Sequence, residues 1–183
     1  LLWLVDQESL RGLLPLTERL RLTLTPGVVI DPQAAQLKAP HTFALGASYG
    51  QHVITNDFDY ITVFPFARQI TINENAEWSS VSLVEVAQQG WVESGDLSGE
   101  ITFDQATDVA GPISIAVALT RTIQDREQRV VVVGSGHFLA NTYLGNGSNL
   151  DFGINLINWL TGDEELMVIQ PRATRDNHLI LNE

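Results

Sequence analysis

The sequence contains no cysteine. That excludes disulfides, thiolate metal sites and a cysteine nucleophile, and it leaves the compartment open. Basic residues are scarce: 10 Lys and Arg stand against 22 Asp and Glu, for a net charge of −12. Binding nucleic acid or an anionic membrane surface needs stripes of Lys or Arg, so neither is an expected partner. The densest basic group, Arg121, Arg126 and Arg129, is diluted by Asp125 and Glu127. No apolar run reaches the roughly 18 to 20 residues of a membrane-crossing helix, and no signal-peptide pattern is present. What is there is a globular composition, 44% hydrophobic and 17% charged over 183 residues. That is enough for one domain with a real core.

Strand and helix patterns alternate along the chain. Leu1–Val5 is a short apolar run ending at Asp6, the pattern of a fully buried parallel strand. Because the sequence opens inside this strand, the expectation is a piece of a longer protein, with strands and membrane segments upstream. Ser9 is placed to cap a helix over Leu10–Arg19, although Pro15 falls inside it. Thr23–Asp31 reads as a strand interrupted at Pro26-Gly27. The small, turn-compatible residues of Gln33–Gln51 read as surface loop. Tyr60–Asn73 holds one or two strands, Ser80–Ala87 another, and Gln88–Thr107 reads as an irregular excursion. Ile113–Thr122 is a strand, and Asp125-Arg126-Glu127 turns it into Val130–Val133, so these two are expected neighbours. Ser148 or Asn149 caps a helix over Leu150–Leu160, which Gly162 ends. Leu166–Ile169 and His178–Leu181 read as terminal strands. Together these predict an α/β sheet with extra antiparallel strands in the middle.

The stretch Arg129–Asn141, R-V-V-V-V-G-S-G-H-F-L-A-N, poses the functional question. Four valines run into Gly134-Ser135-Gly136-His137, as when a buried strand empties into a tight loop. A dinucleotide fingerprint needs Gly or Ala where Leu139 stands. A P-loop needs Gly-Lys-Ser/Thr, which is absent, and a nucleophile elbow needs glycines where Val133 and His137 stand. The plain reading is a sharp turn that glycine permits. The rival readings are a small ligand held at the strand end, or hydrolysis by Ser135 and His137 with Asp151 as third member. His41, His52, His137 and His178 lack metal-ligand spacing, and Asp57 and Asp59 lack the rest of a calcium loop. No metal or cofactor is expected. Asp163-Glu164-Glu165 follows a helix end that disfavours it, so it reads as solvent-facing or paired with Arg172 or Arg175. In the last helix, 150, 154 and 157 form an apolar stripe that 152, 156, 159 and 160 widen. Packing against the sheet is the favoured reading; contact with a partner is the other.

Gly134, Ser135, Phe138, Asn141, Gly145, Gly147, Asn149, Asn155, Asn158, Trp159, Leu160, Asp163 and Glu164 fall on one pattern: strand, G-D-S-D-F-like loop, N-x-x-L-G-x-x-G-N turn, N-x-x-N-W-L helix, acidic stretch. This resembles a segment of the auxiliary components of ABC-type transport systems associated with gliding motility. Gly136-His137 departs from it, standing where an acidic residue often follows the serine. L-L-W-L-V-D, the leucine-rich helix, L-T-P-G-V-V-I-D-P and His52-Val53-Ile54-Thr55 (for H-P-I-T) resemble earlier parts of the same domain. The resemblance implies a flavodoxin-like, class I glutamine amidotransferase-like sheet flanked by helices, without the cysteine that active amidotransferases use. It implies a non-catalytic accessory domain on the extracytoplasmic (periplasmic) face of the bacterial cytoplasmic membrane, anchored by segments outside this sequence. Expected partners are transporter membrane subunits, ATPase-linked subunits or a second copy. If the loops of such a domain hold a sugar or nucleotide, the residues are Gly134, Ser135, Gly136, His137, Asn141 and Asn149.

Overall fold

The computed structural model describes residues 1–73, 76–99, 101–163 and 165. Among these the strands are β1 (Leu2–Leu4), β2 (Leu22–Leu24), β3 (Val28–Ile30), β4 (Phe43–Gly46), β5 (Ser48–Tyr49), β6 (Thr62–Pro65), β7 (Ile70–Ile72), β8 (Ser79–Val86), β9 (Trp91–Glu93), β10 (Val109–Ala110), β11 (Ile113–Ile123) and β12 (Arg126–Val133). The helices are α1 (Leu14–Leu20) and α2 (Asn149–Thr161), with a 3-10 turn over Pro32–Leu37.

The central sheet runs β1-β12-β11-β8-β5. Successive side chains of a strand point to opposite faces, and β12 feeds two cores in this way. Val131 and Val133 face one core with Ile115, Phe138, Phe152 and Leu156. Val130 and Val132 face the other with Leu20, Leu22, Ile70 and Trp78. α2 covers the first face; α1 and the β2–β7 pair cover the second. The valine run is buried because both sides of its strand are roofed. Smaller sheets, β10-β9-β3 and β4-β6, complete the fold.

The expected neighbours Ile113–Thr122 and Val130–Val133 do pair, in a ladder from Ala116↔Val133 to Ile123↔Arg126. The turn between them is Gln124-Asp125, one step earlier than the sequence implies, and both residues take positive φ (49° and 60°). That backbone matches the twist of a tight hairpin. It also fixes strand direction. A parallel pair needs a crossover of a dozen or more residues, usually helical, and a two-residue connection allows only antiparallel pairing. The mixed sheet is therefore present, while parallel pairing within the central sheet is confined to β1 and β12.

Other expectations are corrected. Leu2–Leu4 is parallel as expected but only half-buried, being the sheet's edge. The first helix starts at Leu14, not Leu10; Ser9 does not cap it, and Pro15 falls in its first turn, where a missing N–H does no harm. The interrupted strand at Pro26-Gly27 is two strands in two different sheets. Gln33–Gln51 is not all loop, for it holds β4 and β5. In β4 the inward residues are the small ones, Ala44 and Gly46, because a larger side chain at Gly46 would overlap Thr62 and Phe64. Gln88–Thr107 contains β9. The last helix ends at Gly162 as expected, with φ +85°. The expected strands at 166–169 and 178–181, with Glu164, Arg172 and Arg175, lie outside the described residues.

Candidate functional site

The carboxyl ends of β1 and β12 lie side by side, joined by Val5 N–H donating to Val133 O at 2.8 Å. Asp6 leaves one strand and Gly134–His137 the other. This is where an α/β sheet usually keeps its ligand crevice. Here the loop's backbone groups bond within the chain. Gly134 N–H donates to Ile115 O at 2.7 Å, and Gly134 O accepts from Arg68 N–H. Gly136 N–H donates to Asp6 Oδ1 at 3.0 Å. These donors are spent inside the protein and do not converge on an open point.

Ser135 is fully buried, and its hydroxyl donates to Pro65 O at 2.8 Å. A serine nucleophile must donate to its base and be reached by substrate; this one does neither. His137 lies beside Asp6 instead, with Nε2 at 3.6 Å from Oδ1, and both side chains are partly exposed. Its ring meets Phe66 and Tyr143 edge-on. Asp151, the expected third member, sits in the first turn of α2. Asp6 was legible only as a strand-ending residue; its place beside His137 follows from the parallel β1–β12 register.

Asn141 is exposed in the turn after the loop. Asn149 is fully buried. Its amide accepts from Val63 N–H at 2.8 Å and donates to Val63 O (2.8 Å), Phe138 O (3.1 Å) and Tyr143 O (3.1 Å). Val63 is opposite Leu45 in the β4–β6 ladder, yet its own N–H and C=O turn to Asn149. The side chain thus completes the open edge of β6 as a strand would. Of the six loop residues, Gly134–His137 form one loop beside Asp6, Ser135 and Asn149 are held by backbone groups, and Asn141 is exposed.

The open surface lies one helix face away. Phe152, Leu156 and Trp159 pack into the core, as the sheet-packing reading expects. Leu150, Ile154 and Ile157 do not; they are 39%, 38% and 47% exposed. With Leu139 and Leu144 they line a shallow groove of about 360 Å³, in which no described residue is charged. Two of the three basic residues named in the sequence are occupied: Arg121 pairs with Glu77 and covers Trp78, and Arg129 pairs with Glu127, while Arg126 is exposed. Among the described residues no cluster of His, Asp or Glu is placed to hold a metal ion, and no helix is long and apolar enough to cross a membrane.

No family model and no curated protein matches the chain. Among solved structures the fold is similar to one described as the mmIFT52 N-terminal domain, with a TM-score of 0.62 and 15% identity. The similarity covers 97% of this chain and 66% of that one. At that identity it establishes a shared fold and no more.

Proposed function

We propose that this chain is a non-catalytic accessory domain that works by binding another protein through the outer face of α2. The observation that carries this is the uncharged apolar stripe Leu150, Ile154 and Ile157 over the groove at Leu139 and Leu144. An apolar patch that a domain leaves open on its surface, rimmed by polar residues, is the usual mark of a partner site. In a chain of net charge −12, a charge-free stripe is also a place where another acidic surface can approach without repulsion.

On the resemblance of the 130–165 segment, the partner we propose is a membrane or ATPase-linked subunit of an ABC-type transporter. On this reading the domain works at the periplasmic face and is held there by segments outside this sequence. The parallel β1–β12 pair leading into the 134–137 loop supports a remote relation to the flavodoxin-like, class I glutamine amidotransferase-like sheet, from which the antiparallel pairs of β12, β11, β8 and β5 depart. The buried, committed hydroxyl of Ser135 counts against the hydrolase alternative.

The test is a photo-crosslinking residue at Ile157 in the full-length protein, expressed in its own cells. Crosslinks to a transporter subunit that vanish with Ile154→Glu are expected. Crosslinks no more frequent than from the exposed control position Ile123 would refute the reading. Crosslinks only to a second copy would replace the transporter with self-association.

A further inference from the structure

On the other side of the sheet from α2, α1 and β2 border a cavity of about 670 Å³. Among the described residues its lining includes Arg11, Arg21 and Arg68 and one acidic residue, Glu18. Three basic side chains gather there against Glu18, and one of the three, Arg11, is paired with the Glu8 carboxylate at 3.2 Å. The rest of the wall is largely apolar, from Leu10, Leu14 and Leu24 among others.

Arg68 is the unusual member. It is 5% exposed, and among the described residues its guanidinium donates to backbone carbonyls. Nε reaches Thr25 O at 3.0 Å, Nη1 reaches Asp6 O (3.3 Å) and Glu8 O (3.1 Å), and Nη2 reaches Leu24 O at 3.1 Å. Two acidic residues thus lie beside it but offer carbonyls, not carboxylates. The Asp6 carboxylate is turned to Gly136 N–H, and the Glu8 carboxylate to Arg11. A guanidinium carries five N–H donors, and four acceptors are found among the described residues. Carbonyl dipoles satisfy hydrogen bonds, but no carboxylate among the described residues pairs with this guanidinium, a costly arrangement for a buried ion. Burial accordingly lowers the Arg68 pKa from its ordinary value.

We propose that this cavity binds a small molecule bearing an oxyanion, carboxylate or phosphate, on an apolar body. The anion supplies the counter-charge for Arg68, with Arg11 and Arg21 at the rim, and the body lies on Leu10, Leu14 and Leu24. The volume suits such a molecule, since ligand pockets run to roughly 300–1,000 Å³, and it exceeds what a bare ion needs.

An NMR titration with hexanoate, hexyl phosphate, inorganic phosphate and neutral hexanol tests this. A saturable shift of the Arg68 Nε–H signal with hexanoate or hexyl phosphate is expected, and which of the two binds more tightly identifies the anion. Arg68→Gln removes four carbonyl contacts and threatens the fold, so the variant used is Arg11→Gln with Arg21→Gln. Both lie at the surface, and losing them should weaken binding about tenfold through lost charge-assisted contacts. The proposal is overturned if neither alkyl anion gives a saturable shift. It is equally overturned if hexanol binds as tightly as the anions, if inorganic phosphate alone accounts for the shift, or if the double variant binds like the parent.

Discussion

Replacing Asn149 by alanine separates a ligand-binding residue from a structural one. The buried amide serves Val63 N–H, Val63 O, Phe138 O and Tyr143 O. Tyr143 O also accepts from Asn146 N–H, so it keeps a partner in the variant. The Val63 pair and Phe138 O have no such substitute on the β6 edge. Each buried group left unsatisfied costs about 1–3 kcal/mol, so two or three of them, partly relieved by relaxation, give a loss of about 3–4 kcal/mol. Urea unfolding followed by fluorescence of the four tryptophans measures it. Asn149→Asp makes a sharper version. It keeps the acceptor for Val63 N–H but turns a carboxylate toward three carbonyls. The folded-state pKa of that carboxyl is expected to rise. Its favourable protonated form is then present at low pH, and stability is lost as pH rises through the folded pKa. A loss within about 0.5 kcal/mol for Asn149→Ala, the range of ordinary surface changes, would refute the clamp.

Three further outcomes follow from the packing. Gly134→Ala places a Cβ on the Arg68 carbonyl oxygen and should cost about 2–3 kcal/mol through overpacking, whereas Gly145→Ala, in open space, should cost under about 1 kcal/mol; unfolding curves of both decide it. Burial pushes the Tyr49 phenol up to about 12, its hydroxyl lying against Gly46 O (2.7 Å) and Tyr60 O (2.6 Å). The folded pKa lies above the unfolded value of roughly 10, so this stability is complete below pH ~10 and lost as pH rises through ~12. Discounted for partial exposure it amounts to about 1–2 kcal/mol, and Tyr49→Phe should flatten the alkaline limb of a Tm-versus-pH curve. Leu156→Ala empties the core and should cost about 2–5 kcal/mol, while Leu150→Ala on the same helix should stay near zero in chemical denaturation.

Much of the secondary structure was legible because it rests on local rules. The β11 and β12 runs, α2 and its Gly162 end follow from periodicity and capping. The failures are physical. β4 reads as loop because its inward positions must be small against Thr62 and Phe64, so the apolar alternation is muted. Parallel or antiparallel direction is not written in a valine run; it depends on the length and nature of the connection, and the hairpin at Gln124-Asp125 settles it. Helical spacing showed the stripe 150, 154 and 157, but not that the sheet covers only the face bearing Phe152, Leu156 and Trp159. Arg68 gave no sequence signal at all. Its importance comes from four carbonyls contributed by residues more than forty positions away.

The question raised by Gly134-Ser135-Gly136-His137 has an answer in the same terms. Gly134 admits the Arg68 backbone, Ser135 ties the loop to Pro65, and Asn149 locks β6 from behind. Phe138 and Trp159 are buried beside them. Much of the resembling motif is thus spent on shape. A motif made of packing residues carries fold more firmly than partner, because sequences can keep the joint while changing what docks nearby. The exposed side chains proposed to meet a partner, Leu150, Ile154 and Ile157 on one side and Arg11 and Arg21 on the other, are not among the matching residues of that motif. Substituting them should alter binding and leave folding intact, whereas substituting the motif should do the reverse.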